Sequence, residues 1–428
     1  MSFSSLRSPT ALPLLLCLAL PALPGCSADD SSAEIALGDG NSDEGSYEEG
    51  GDDDGDASGD GGASGDGGSS GDGDPTGDGD AGDGDGDDPG GHQPGQLTGG
   101  EWRDLDHWDF WLDLGAFNSN WRHDFDHWGF DTRYRVPVLA LVDNTPAVDV
   151  PLELRDANQE LLWRARTDNE GHAELWPSLL SSPTWPLTIE AGDQSIELEE
   201  LPDGFDPVLL DLGAAEAVAD LDLMFVVDTT GSMSDELTYL TVELGDVIER
   251  VKGEVDQDFS LRISVNFYRD HGDEYVVRSF PFTTEVETAL GQLAAQSAAG
   301  GGDWPEAVDE ALVDAIDGHD WSAQARARLC FLVLDAPPHD TPTIRASLGQ
   351  TISSAAAKGV RIIPVAASGI DKQTEFLLRH IDVATGATYT FLTDHSGIGD
   401  PHLEPTIGEY QVELLNDLLV RLIVEAMK

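Results

Sequence analysis

The sequence predicts a doubly wound α/β domain with a mostly parallel sheet in its C-terminal half, preceded by a small β-sandwich and a disordered acidic linker. Three observations carry this reading. From Leu221 onward, continuous apolar runs alternate with amphipathic stretches, the pattern of strands buried on both faces and covered by helices. Between Tyr134 and Leu212 the apolar runs are shorter and separated by turn residues, as in a sandwich. Between Ser27 and Gly100 the chain is built from Gly, Asp and Ser, with no apolar periodicity to offset the entropy of folding.

Composition narrows the function classes. The chain has 428 residues, room for two or three domains, and a formal net charge of -60 from 82 acidic and 22 basic residues. Such a surface repels phosphate backbones, which argues against nucleic acid as a partner, and it attracts divalent cations. The 3 cysteines give no disulfide framework. Cys330, inside Leu329-Cys330-Phe331-Leu332-Val333-Leu334, reads as a small core residue.

Residues 1–25 read as a secretory signal: Arg7 supplies a positive start, and Ala11 to Leu23 is an apolar stretch too short to span a bilayer. The junction Leu23-Pro24-Gly25-Cys26 resembles the bacterial lipobox, with Leu and Gly fitting the pattern and Pro24 departing from it. That resemblance implies lipidation at Cys26, attachment to a membrane by an N-terminal lipid anchor and, with Ser27 following, the outer membrane of a Gram-negative bacterium. An ordinary cleaved signal and a secreted protein is the alternative. Residues 26–100 follow as a linker, a solvated stalk whose r.m.s. span is roughly 45–50 Å. Asp83-x-Asp85-x-Asp87 opens like an EF-hand loop, but Asp88 stands where Gly is needed and Pro94 where the bidentate Glu would be.

Residues 101–133 form a Trp/His/Asp-rich segment with a short repeat, Asp104-Leu105-Asp106-His107-Trp108-Asp109-Phe110 and Asp124-Phe125-Asp126-His127-Trp128-Gly129-Phe130. Either its aromatics stack on a ligand and its His and Asp residues bind metal, or it is a strap packed on a neighbouring domain; the strap is expected. Residues 134–212 carry the sandwich strands, broken at Asp143-Asn144, Asp156-Ala157-Asn158, Asp168-Asn169-Glu170-Gly171 and Gly192-Asp193. Thr167-Asp168-Asn169-Glu170-Gly171-His172-Ala173 resembles the hairpin of prealbumin-like, Ig-type modules; the region shows no catalytic constellation, so a spacer or docking role is expected.

Residues 219–428 hold the α/β domain. Strands are expected at Leu221–Val227, Leu261–Phe267, Tyr275–Phe280, Leu329–Leu334, Val360–Val365 and Thr388–Leu392. Helices are expected at Ser234–Lys252, Pro305–Ile316, Thr343–Lys358, Glu375–Ile381 and Tyr410–Ala426. Ligands of such sheets bind beyond the carboxyl ends of the strands, where the strand order reverses. The first strand ends there in Asp228-Thr229-Thr230-Gly231-Ser232-Met233. One carboxylate and two hydroxyls on one turn suit Mg²⁺, which takes oxygen ligands and keeps some waters. The plainer reading is that Thr230 and Ser232 cap the next helix.

With Gly300-Gly301-Gly302-Asp303 and the strand end Leu332-Val333-Leu334-Asp335, this half of the chain resembles von Willebrand factor type A domains. The resemblance implies a metal-ion-dependent adhesion site of Asp228, Thr230, Ser232, Asp303 and Asp335 holding Mg²⁺ (or Mn²⁺ or Ca²⁺). Asp303 stands where many adhesive members have Thr. Arg269-Asp270-His271 and Asp335-Ala336-Pro337-Pro338-His339 resemble a hemicentin-like and kinase-associated branch. Asp270 is expected one layer behind the ligands, with His271 and His339 on the rim. The implied function is a cell-surface lipoprotein, not an enzyme, that binds a partner protein through an acidic side chain on the metal. The alternatives are a metal-dependent hydrolase, with His271 and His339 flanking a metal-bound water, and an envelope scaffold with a structural ion.

Overall fold

A computed structural model describes residues 92–428 apart from 117, 118, 120, 217 and 255–258. The expected signal peptide, the lipidation at Cys26 and the linker as far as residue 91 lie outside the described residues.

The linker expected to run to residue 100 ends earlier. Thr98–Trp102 is strand β1, an inner member of the largest sheet. Leu97 is buried, and the carboxylate of Glu243 accepts the backbone N–H groups of Gly95, Gln96 and Leu97 at 2.8, 2.7 and 3.0 Å. Local composition hides this strand because Gly99 and Gly100 look like more linker. They are glycine for a packing reason: a Cβ on Gly100 would lie 2.8 Å from ring atoms of Phe391 and Tyr410, and one on Gly99 3.0 Å from the Phe391 carbonyl oxygen.

The aromatic segment folds into two short helices, α1 (Trp108–Leu114) and α2 (Arg122–Trp128), whose Trp108, Trp111, Phe125 and Trp128 are buried. Trp111 stacks on Phe376 and gives its indole N–H to Thr132 Oγ1 at 3.1 Å, so the segment packs as a strap. The sandwich follows: β2 (Val136–Val142), β3 (Thr145–Pro146), β4 (Pro151–Arg155), β5 (Leu161–Arg166), β6 (His172–Leu175), β7 (Leu187–Ala191), β8 (Gln194–Leu198) and β9 (Val208–Asp211). One four-stranded sheet runs β3-β2-β6 with β9 beside β2, and the other runs β5-β4-β7-β8. Alternate residues of β4 and β7 face inward, as the period of two requires.

The α/β domain contains β10 (Asp220–Asp228), α3 (Leu237–Glu254), β11 (Ser260–Tyr268), β12 (Val277–Arg278), α4 (Val286–Ala294), α5 (Val308–Val313) and β13 (Ala327–Leu334). It continues with α6 (Pro342–Lys358), β14 (Val360–Ala366), α7 (Lys372–Thr385), β15 (Tyr389–Leu392), β16 (Glu413–Leu414) and α8 (Leu415–Glu425). The sheet order is β12-β11-β10-β13-β14-β15-β1-β16. The five strands from β11 to β15 are parallel, while β12, β1 and β16 pair antiparallel to their neighbours. Helices α3, α4 and α8 cover one face. Helices α5, α6 and α7, the strap and the sandwich share the core of the other. Caps set several boundaries: the Thr341 and Asp371 side chains accept the N–H groups of Ile344 and Thr374, and Gly359 and Gly386 close α6 and α7 in the left-handed region.

Three elements differ from expectation. The third strand shrinks from Tyr275–Phe280 to the two residues of β12. The helix expected over Pro305–Ile316 starts at Val308 and runs into a π-turn at Asp314–Gly318. Helix α8 starts at Leu415 rather than Tyr410, because Glu413 and Leu414 pair with β1. Helix α4 was not expected; its buried Val286, Ala289 and Leu293 mark one helical face. Cys330 is buried in β13, and burial pushes its thiol up to about 12.

Candidate metal centre

From β10 the chain moves to β11 on one side, and β13 leads to β14 on the other. The strand order therefore reverses between β10 and β13, and the carboxyl ends at such a reversal are where sheets of this kind form their ligand crevice. Asp228 ends β10 and Asp335 follows β13, so both carboxylates are delivered to that crevice by strands of the central sheet. Asp228 is fully buried and Asp335 is 5% exposed.

The turn after Asp228 is built around its carboxylate. Asp228 Oδ1 accepts the Thr230 backbone N–H at 2.8 Å and the Thr230 hydroxyl at 2.7 Å. Thr230 Oγ1 is 3.1 Å from Ser232 Oγ, which places the two hydroxyls and the carboxylate in one row. Thr230 heads a 3₁₀ turn, Gly231–Asp235, yet makes no capping hydrogen bond; its side chain points to Asp228 and Ser232.

The Gly-rich loop closes the third side. The Gly231 N–H donates to Gly300 O at 3.1 Å, and the Gly301 N–H donates to Asp273 Oδ2 at 2.8 Å. Gly300 and Gly301 have φ of +83° and +71°, a region that favours glycine. A Cβ on Gly301 would stand 3.0 Å from Glu306 Oε1 and 3.5 Å from Thr230 Cβ, so this glycine lets the Glu306 carboxyl approach the Asp228 turn. The loop thus carries Glu306 inward and turns Asp303 outward. Asp303 is exposed, whereas Glu306, which is 2% exposed, is the carboxylate this loop places beside the Asp228 turn. Backbone pairing of Glu306 with the Asp335 loop, through its N–H to Pro337 O at 2.9 Å, locks that position. Glu306 could have been noticed as a carboxylate four residues beyond the last glycine, at the edge of an expected helix.

The electrostatics follow from crowding. Asp228 Oδ2, Asp335 Oδ1 and Glu306 Oε2 are all buried with no hydrogen-bond partner. Burial raises the Asp228 and Asp335 carboxyls well above the usual range, and the Asp228 charge raises Asp335 further. Burial, followed by the charges of Asp228, Asp270 and Asp335, pushes Glu306 up to about 9. Tyr268, under Asp228, has its phenol pushed up by burial and by the same carboxylates. Three carboxyl groups, each with one buried oxygen lacking a protein partner, are poorly satisfied alone and well matched to a hard cation. Among the described residues, no three His, Cys, Asp or Glu side chains stand together at metal-ligating geometry. An ion here would therefore rest on Thr230, Ser232 and water as well as on carboxylates. This donor set fits Mg²⁺, which accepts hydroxyls and retains water.

Asp270 lies behind the centre. It is 5% exposed, its Oδ1 accepts from His339 Nε2 at 2.7 Å, and its charge raises Asp228 and Glu306. His271 contacts Glu310 at 2.9 Å, with its ring 6.1 Å from that of His339. Arg269, the buried base of this loop, donates to the carbonyls of Thr229 and Ser297 at 3.1 and 2.8 Å and so ties the loops together rather than neutralising the carboxylates. Trp304, next to Asp303, is 47% exposed on the outer edge.

A parallel-sheet switch point ringed by an Asp-x-Thr-x-Ser turn, a Gly-rich loop and an Asp after the next central strand defines a domain of the von Willebrand factor type A fold. Residues 222–397 match the family model of the von Willebrand factor A domain, so the chain carries such a domain over less than half its length. An ariadne-like RING finger protein of Acanthamoeba polyphaga mimivirus is 28% identical over 136 residues, 32% of this chain. The matched stretch spans 13% of that viral protein's length. The crystal structure of the conserved hypothetical protein BatB from Bacteroides thetaiotaomicron aligns over 48% of this chain and 98% of its own, at 13% identity and a TM-score of 0.34.

Proposed function

We propose that this protein is a cell-surface lipoprotein whose von Willebrand factor A domain binds a partner protein through a divalent cation at Asp228, Thr230, Ser232, Glu306 and Asp335. The observation that carries this reading is the set of buried, unpartnered oxygens Asp228 Oδ2, Asp335 Oδ1 and Glu306 Oε2 beside two aligned hydroxyls. A hard cation satisfies these oxygens at once, and a partner carboxylate is the natural ligand for a coordination position left open to solvent. Domains of this class commonly mediate protein–protein interaction. Binding rather than catalysis is proposed because His271 and His339 are engaged with Glu310 and Asp270 at the rim. The lipid anchor rests on the Cys26 junction alone, and mass analysis of the mature N-terminus tests it.

Calorimetry tests the centre. The wild-type protein takes up one Mg²⁺, Mn²⁺ or Ca²⁺ ion, and Asp228→Ala takes up none while remaining folded. A wild type that binds none of the three at about millimolar concentration, a weak limit for a functional site, defeats the proposal. A chelator-sensitive pull-down from envelope extracts then asks whether the ion is needed for partner capture.

A further inference from the structure

The opposite end of the same sheet holds a second feature. A cavity of about 810 Å³ lies at the amino ends of the central strands, between the β1–α1 segment, the β5–β6 turn and the end of α8. Its walls are braced: Asn169 in the turn donates to the Glu425 carbonyl of α8 at 2.9 Å. Trp102 and His107 stack along one side with ring centroids 3.9 Å apart, and Tyr410 also lines the space.

Arg361 is the unusual member of this lining. It is the second residue of β14, so it leaves the sheet at the end remote from Asp228. Its Nη2 is buried with no hydrogen-bond partner, and among the described residues Arg361 makes no ion pair within 4.0 Å. Arg103 lines the same cavity, and its positive charge adds to burial in disfavouring the Arg361 cation, although Asp168 and Glu170 oppose this. An arginine pair with one member unneutralised is costly in any protein. It stands out in a chain with a net charge of -60, where carboxylates are abundant. Arg103 is already paired with Asp106 at 2.6 Å, so the guanidinium left without a partner is that of Arg361, and a monoanion supplies one because the arginine fork matches carboxylate and phosphate.

The rest of the lining has the other sign. Arg421 is shared among Glu101, Glu413 and Glu425 at 2.8, 2.5 and 3.6 Å, which leaves that group net acidic. Glu409 and Glu170 add two more carboxylates. A polyanion would be repelled by this rim, whereas an ammonium would be held by it and by the aromatic wall.

We propose that this cavity binds a small zwitterion, with a single carboxylate or phosphate on Arg361 and Arg103 and an ammonium against the glutamates. The two sources of that chemistry are free α-amino acids and the phosphodiester glycerophosphoethanolamine, and the assay separates them. Titration calorimetry of the full chain uses each standard L-amino acid, glycerophosphoethanolamine, ethanolamine and sodium sulfate. At least one zwitterion binds saturably, and ethanolamine and sulfate bind at least about tenfold more weakly, a difference of one unlike charge contact. Arg361→Met abolishes that binding, and the zwitterion that raises the melting temperature of the wild type no longer raises that of the variant. Arg361→Lys keeps the charge and retains part of the binding, and Asp228→Ala binds as wild type does. The proposal fails if no zwitterion binds at about 10 mM, weaker than any specific small-ligand site. It fails equally if sulfate matches the zwitterions, or if Arg361→Met destabilises the protein and leaves the heats unchanged.

Discussion

At the scale of single residues, Glu306 is the group whose charge state governs the carboxyl-end crevice. Its side chain is surrounded by Asp228, Asp270 and Asp335, and it has no partner for Oε2. Glu306→Gln is therefore expected to weaken cation affinity at least about tenfold, while Asp303→Asn, altering an exposed carboxylate, stays within about twofold. Calorimetric titration of both variants distinguishes them; equal losses would return Asp303 to the centre. The pH dependence follows in sign. The folded value for Glu306 is raised to about 9 from 4.5, so its contribution to the cation-free fold is fully present below about 4.5 and is lost as pH rises through about 9. A cation requires the ionised form, so its stabilisation grows over the same window. Melting temperatures with Mg²⁺ and with chelator should diverge between about pH 5 and 8.5; a constant gap would show that these carboxyls do not titrate with ion uptake.

At the scale of elements, β1 and α7 carry the testable energetics. Three backbone N–H groups ahead of β1 depend on one carboxylate, that of Glu243 on α3. Glu243→Ala leaves them unpaired and should cost on the order of 3 kcal/mol, with hydrogen exchange fastest in residues 95–102. Exchange unchanged in that segment would mean that pairing with β15 alone holds the strand. Helix α7 contains a buried network in which Arg379 bridges Asp104 at 2.7 and 2.8 Å and Glu375 at 3.2 Å, between the faces of Trp111 and Trp121. Asp382 on the same helix is 1% exposed with both oxygens unpartnered, and burial, then the Asp104 charge, raises it far above the carboxylate range. Its contribution is present at low pH and lost as pH rises above its unfolded value of about 3.8. Asp382→Asn removes the ionisation, so its stability relative to wild type should improve steadily from about pH 5 to 9 in denaturant titrations. A pH-independent difference would contradict the buried neutral acid.

At the scale of the whole molecule, ordered structure reaches back into linker-like composition, with β1 at Thr98–Trp102. Truncation to residue 92 should leave the melting temperature of the remainder within about 1 °C, since a Gly/Asp/Ser composition offers no apolar side chains for a core. Truncation to residue 103 removes β1 and strips a partner from both β15 and β16, and should lower it by many degrees. Equal melting for both truncations would mean that β1 is dispensable.

The doubly wound order of the C-terminal half was legible because buried parallel strands must read as apolar runs, as Leu221–Val227 and Leu329–Leu334 do, and because their helices must carry an apolar face. Asp228, Thr230, Ser232 and Asp335 were legible for the same reason: each is fixed within a residue or a turn of a strand end. Where a loop's direction or a distant partner decides the outcome, local pattern carried no information. The positive φ of Gly300 and Gly301 sends Glu306 inward and Asp303 to solvent. Strand β1 exists because Phe391, Tyr410 and Glu243, all far along the chain, accept a glycine-rich segment that has no strand propensity of its own. The Arg361 cavity belongs to the same class, since the turn, strand end and helix end that enclose it meet only after the chain has folded.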